Sequence, residues 1–139
     1  MNAEAISEVE RPTEVVIVDD STVIRQRLRA LVNSLDGVVV AGEAGDGAAG
    51  LEIIRNARPD VVILDIMMPG ASGLDVLKEV KASPEAPTVI VLTNYPYSAF
   101  RQRSISLGAE HFLVKATEFD RIRGILAGLR HAASGPALP

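Results

Sequence analysis

Five short apolar runs recur along the chain, at residues 14–19 (EVVIVD), 38–42 (VVVAG), 61–65 (VVILD), 88–93 (TVIVLT) and 111–114 (HFLV). They are rich in β-branched residues, too short for helices, and apolar throughout rather than alternating, which predicts strands covered on both faces. Between them the apolar positions follow helical spacing. Ile24, Leu28, Leu31 and Leu35 mark a helix from Ser21, with Gly37 as its left-handed stop. Asp46-Gly47 opens a second helix carrying Leu51, Ile53 and Ile54, which ends before Arg58-Pro59. Leu74, Leu77 and Val80 follow Gly73 in a third helix that stops at Ser83-Pro84. Pro96 is expected to start a fourth, ending near Leu107-Gly108. Thr117 is expected to cap a last helix carrying Phe119, Ile122, Ile125, Leu126 and Leu129.

Strict alternation of strand and helix predicts an α/β fold with a parallel sheet between two helical layers. The chain has 139 residues, one domain's worth, with 47% hydrophobic and 23% charged residues. Residues 1–12 read as a flexible N-terminal segment, residues 13–133 as the folded domain and residues 134–139 as a short tail. There is no cysteine, so disulfides, thiolate metal sites and cysteine nucleophiles are excluded. No apolar run approaches the roughly 20 residues of a membrane span. The first dozen residues are acidic, unlike a signal peptide, and a cytoplasmic location is expected. A net charge of −4 argues against direct nucleic-acid binding, which needs a concentrated basic surface.

The chemistry lies in what each strand ends on. In such sheets ligands bind outside the carboxyl ends of the strands. Strand 1 runs into Asp19-Asp20, strand 3 into Asp65, strand 4 into Thr93 and strand 5 into Lys115; strand 2 ends on Glu43, less clearly part of the set. A lone carboxylate closing the run VVILD is costly to bury unless something compensates it. Three carboxylates on neighbouring strands repel one another unless a cation holds them, and Mg²⁺ suits an all-oxygen site. Thr93 offers a hydroxyl donor and Lys115 a compact positive charge, both suited to a phosphoryl group.

Taken together, Asp19-Asp20-Ser21, Asp65 with Met68-Pro69 and Gly73 behind it, Thr93, Gly108-Ala109 and Lys115 resemble the receiver domain of two-component response regulators, over nearly the whole chain. The resemblance implies a doubly wound, flavodoxin-like (βα)5 sheet of strand order 2-1-3-4-5. It implies that Asp65 accepts a phosphoryl group from a sensor histidine kinase or phosphotransfer protein. Asp19, Asp20, Asp65 and the backbone carbonyl of Met67 would hold Mg²⁺. Thr93 and Phe112 would act as the switch pair, with Phe112 turning inward behind Thr93 and changing the helix 4–strand 5–helix 5 face for a downstream protein. Such a protein is an enzyme only in its own phosphotransfer and dephosphorylation. Its length and its Pro-Ala-Leu-Pro ending suggest a stand-alone regulator, against the alternative of a receiver excised from a longer transcription factor. Dimerisation through the helix 4 and helix 5 face is left open.

The sequence departs from the family pattern in three places. Ala116 follows Lys115 where proline is usual, so a cis peptide is not expected; Thr117 capping and packing are then expected to place the lysine. Asn94 is bulkier than the usual residue after the threonine, and Phe112 lacks a phenolic hydroxyl. Met67, without an amide to orient water, implies slow self-dephosphorylation. Rival readings fare worse. A dinucleotide-binding enzyme needs a glycine-rich turn where Asp19-Asp20-Ser21 stands, and a phosphohydrolase with an Asp nucleophile would want an acid at position 67. A relay shuttle or sink, or a pseudo-receiver that binds without phosphorylation, are the alternatives within the family. His111 and His131 read as structural or exposed, and Arg101 and Arg103 as a solvated face.

Overall fold

The computed structural model describes residues 11–134 except 69 and 71, with side chains through residue 129. Most of the proposed N-terminal segment and tail, Pro69 and the side chain of His131 lie outside the described residues. Strands β1 (Thr13–Val18), β2 (Val38–Ala44), β3 (Val61–Leu64), β4 (Thr88–Thr93) and β5 (His111–Val114) form one parallel sheet of order β2-β1-β3-β4-β5. Helices α1 (Thr22–Asn33), α2 (Gly47–Ala57), α3 (Gly73–Lys81), α4 (Ser98–Ser106) and α5 (Arg121–Ser134) alternate with the strands, and a single helical turn, Lys115–Glu118, precedes α5. The predicted fold class and strand order are those observed.

Alternate residues of each strand feed opposite layers. Val15, Ile17, Val61, Ile63, Ile90, Leu92 and Leu113 pack against Leu28, Leu31 and Val32 of α1 and Ile122 and Leu126 of α5. Val16, Val18, Val62, Leu64, Val89, Val91 and Phe112 pack against Ile54 of α2, Val76, Leu77 and Val80 of α3, and Phe100 of α4. Because both faces of β1, β3 and β4 are covered, their sequences show no alternation.

Local signals account for most element ends. Ser21 caps α1 by accepting from Ile24 N, and Asp46 caps α2 by accepting from Ala49 N at 2.8 Å. Gly37 takes the left-handed conformation expected of it, with φ 77°. Arg58 also has positive φ, 49°, ending α2 with its N–H on Ile54 O.

Two predicted helix starts require correction. Helix α4 begins at Ser98 behind Tyr97, not at Pro96. Thr117 caps nothing: it lies inside the turn Lys115–Glu118, and the Glu118 carboxylate instead accepts the N–H of Val114 at 3.0 Å. The physical reason is the sheet edge. β5 pairs only with β4, so an outward-facing N–H of β5 lacks a strand partner and a reaching carboxylate supplies one. No cis peptide occurs among the described residues, in keeping with Ala116.

Candidate functional site

The register of the sheet assembles the site. Val18 pairs with Leu64 across β1 and β3, and Asp65 N donates to Val18 O at 2.9 Å, so Asp19 and Asp65 leave their strands at the same level. Both are buried, at 1% and 4% exposure, whereas Asp20 is exposed. One carboxylate oxygen from each of Asp19, Asp20 and Asp65 lies within 4.8 Å of the other two.

Lys115 reaches over β4 to this cluster from the end of β5. Its Nζ lies 2.8 Å from Asp19 Oδ2 and 3.2 Å from Asp65 Oδ2, to which it donates a hydrogen bond. The approach to Asp19 Oδ2 is close but poorly directed, and that buried oxygen has no well-formed hydrogen bond. The other oxygens are tied locally. Asp19 Oδ1 accepts from Ser21 N at 2.9 Å, and Asp65 Oδ1 accepts from Met67 N at 3.0 Å.

These neighbours pull Asp65 in opposite directions. Burial raises its pKa above the ordinary carboxylate range; the Met67 N–H and the Lys115 charge oppose that, while the Asp19 charge adds to it, and the net is upward. Burial lowers the Lys115 pKa, but its contacts with Asp19 and Asp65 outweigh that, and the lysine is held charged.

Thr93 is fully buried at the end of β4, level with Val114 of β5. Its Oγ1 accepts from Tyr95 N at 3.2 Å, which leaves the hydroxyl proton to donate elsewhere. Phe112 is buried in the layer beneath, with the Arg101 guanidinium 5.8 Å from its ring centroid. Its ring is thus buried in the structure, at 5% exposure. Met67 is 41% exposed beside Asp65, on the solvent side of the site.

Gly73 fixes the backbone behind Asp65. A Cβ there would lie 2.3 Å from Ile66 Cα and 2.4 Å from the Asp65 carbonyl oxygen, so only glycine lets α3 start this close.

The donor set fits a small divalent cation. It is all carboxylate oxygen, it is convergent, and one buried oxygen lacks a well-directed partner. Asp19, Asp20 and Asp65 would hold the ion, and the position of Met67 after Asp65 suits its carbonyl to the same role.

Two contributors went unread in the sequence, Arg25, whose Nη1 donates to the Asp19 carbonyl at 2.7 Å, and Glu118, which secures the residue before Lys115; a third, Glu43, held by Arg29, was read only as a less certain member of the strand-end set. Glu43 at the end of β2 was the nearest to a signal, as a strand-end acid without an assigned partner.

A doubly wound sheet with acids on β1 and β3, a threonine on β4 and a lysine on β5 is the receiver architecture, and residues 15–127 match the response regulator receiver domain. The chain belongs to that family. It is 33% identical over 109 residues to the transcriptional regulatory protein YdfI of Bacillus subtilis, covering 78% of this chain and 51% of that protein. It is 40% identical over 108 residues to a protein-glutamate methylesterase/protein-glutamine glutaminase of Symbiobacterium thermophilum, covering 77% of this chain and 30% of that protein. The chain thus spans about half the length, or less, of these curated relatives.

Among solved structures, the response regulator domain of Thermotoga maritima CheB superposes with a TM-score of 0.77 at 27% identity, covering 88% of this chain and 97% of that one. The REC domain of AraT, a response regulator from Geobacillus stearothermophilus, gives 0.72 at 30% identity, covering 86% and 93%. Among the described residues no helix is long and apolar enough to cross a membrane.

Proposed function

We propose that this receiver domain is a phosphoryl-accepting switch with Asp65 as the acceptor. The observation that carries the reading is the buried Asp65 carboxylate, 3.2 Å from Lys115 Nζ and grouped with the Asp19 and Asp20 carboxylates at the carboxyl edge of the sheet. An Asp65 oxygen attacks the phosphorus of a phosphohistidine on a sensor histidine kinase or phosphotransfer protein. A P–O bond forms, the P–N bond breaks, and its electron pair leaves with the imidazole nitrogen, which takes up a proton. Lys115 offsets the charge of the incoming group, and the Thr93 hydroxyl donates to one of its oxygens. Bound Mg²⁺ would neutralise phosphoryl charge during transfer.

The protein acts as an enzyme only on itself. With Met67 providing no group to orient water beside Asp65, self-dephosphorylation is slow, and a phosphorylated half-life of seconds in Mg²⁺ would refute that. The switched state is read by a downstream protein at the α4–β5–α5 face, in the cytoplasm. Intact-protein mass after incubation with acetyl phosphate tests the reading. One added phosphoryl group that needs both Mg²⁺ and Asp65, and is lost in Asp65→Asn, supports it; labelling unaffected by Asp65→Asn sinks it.

A further inference from the structure

Asp19 is gripped at four points. Its N–H donates to Ala44 O at 3.0 Å, Oδ1 accepts from Ser21 N, Oδ2 faces Lys115, and its carbonyl accepts from Arg25 Nη1 at 2.7 Å. The last of these matters most for the neighbouring residue. The Asp19 carbonyl and the Asp20 N–H share one rigid peptide plane, so whatever fixes that carbonyl also fixes the N–H and Cα from which Asp20 projects.

Arg25 is itself held by its surroundings. Its Nη2 donates to Thr22 Oγ1 at 3.3 Å, and its Nε lies 3.7 Å from Glu43 Oε1. The guanidinium lies over Gly45, where a Cβ would come within 3.2 Å of Nη1. Glu43 is clamped in turn by Arg29, whose Nε and Nη2 both donate to it. A guanidinium this near carboxylates would ordinarily take one as a forked partner. Here Glu43 occupies one side of it and the Asp19 carbonyl the other.

We propose that Arg25 is a positioning residue for the metal site: it fixes the Asp19–Asp20 peptide so that Asp20 faces the ion, and Glu43, braced by Arg29, keeps the guanidinium off the acidic cluster. This rests on the reading that Asp19, Asp20 and Asp65 take Mg²⁺. Outer partners of metal ligands commonly contribute at this level, because they set ligand direction without touching the ion.

Calorimetric titration of the full chain with MgCl₂ tests it, with folding of each variant checked by circular dichroism. Arg25→Ala raises the Mg²⁺ Kd about tenfold. Arg25→Lys, which keeps a single donor for the carbonyl but not the fork, recovers part of that loss. Glu43→Gln, which frees the guanidinium to turn toward the carboxylates, also weakens binding. A purely structural role would lower the melting temperature of the folded variants and leave their Mg²⁺ Kd unchanged, and that result overturns the proposal. Should Arg25→Ala fail to fold, wild-type Kd values in both Arg25→Lys and Glu43→Gln overturn it equally. Wild-type protein that binds no Mg²⁺ overturns the metal reading and this inference together, whereas wild-type binding with unaffected variants overturns the inference alone.

Discussion

Lys115 Nζ stands 3.2 Å from Asp65 Oδ2, joining the ends of two strands that are not neighbours in the sheet. With the lysine's side chain 7% exposed and the carboxylate's 4%, this contact is shielded from water. Removing one partner of a buried pair leaves the other uncompensated. Lys115→Met should therefore destabilise the metal-free protein by about 3 kcal/mol, read as a lower urea midpoint at neutral pH. Added Mg²⁺ should recover much of the difference, since it supplies the missing positive charge to the same carboxylates. An unchanged midpoint would mean that the lysine contributes no net stabilisation.

Asp65 gives the pH dependence. Burial raises its folded-state pKa above the ordinary 3.8, so across the window from there upward the folded state binds more protons than the unfolded one. Stability then falls as pH rises through that window, and the ionised group is a full burden above it. Asp65→Asn, which leaves Lys115 paired with Asp19 at 2.8 Å, should accordingly melt higher than wild type at neutral pH in EDTA, with the advantage shrinking as pH falls toward the ordinary carboxylate value of 3.8. Lys115, whose pKa is raised from 10.5, stays charged throughout this range and does not confuse the comparison. A wild type more stable than Asp65→Asn at neutral pH would contradict the sign.

The difference between what sequence reading reached and what it missed is visible at these residues. Asp19, Asp65, Thr93 and Lys115 were legible because each closes an apolar run, and a parallel sheet must deliver all its strand ends to one edge. The layers were legible because β-branched runs and helical spacing leave few alternatives. Arg25 was not, nor was the role of the strand-end Glu43, since both depend on how α1 lies over the end of β2, which no local pattern encodes. Nor was Glu118, because its partner is an N–H made available only by β5 being at the sheet edge.

That last contact separates two candidates for placing the lysine. Glu118 accepts the Val114 N–H at 3.0 Å, and Thr117 supplies no cap. Glu118→Ala should cost about 1 kcal/mol, whereas Thr117→Ala should stay within about 0.5 kcal/mol of wild type. Glu118 has its pKa lowered, first by the Val114 N–H, against a smaller opposing effect of burial, and further by Arg121. Its contribution is therefore complete above the ordinary carboxylate range and is lost as pH falls through its lowered value. Thermal melts of both variants at neutral and acidic pH check the pair; equal losses would restore Thr117 as the anchor.

Two glycine replacements should move in opposite directions for reasons the packing makes explicit. At Gly73 a methyl group would lie 2.3 Å from Ile66 Cα and 2.4 Å from the Asp65 carbonyl oxygen, both backbone atoms that no side-chain rotation relieves. Gly73→Ala should cost about 3 kcal/mol and, by shifting the Asp65 peptide, slow phosphoryl acceptance in whatever fraction folds. Gly124, exposed within α5, has nothing within 4 Å of its would-be Cβ. Gly124→Ala should stabilise by up to about 1 kcal/mol through helix propensity alone, leaving acceptance on Asp65 unchanged because the added methyl group meets no other part of the protein within 4 Å. Differential scanning calorimetry of the two proteins, with acetyl phosphate labelling rates alongside, tests both; a Gly73→Ala protein of wild-type stability would show that α3 can retreat from β3 without cost.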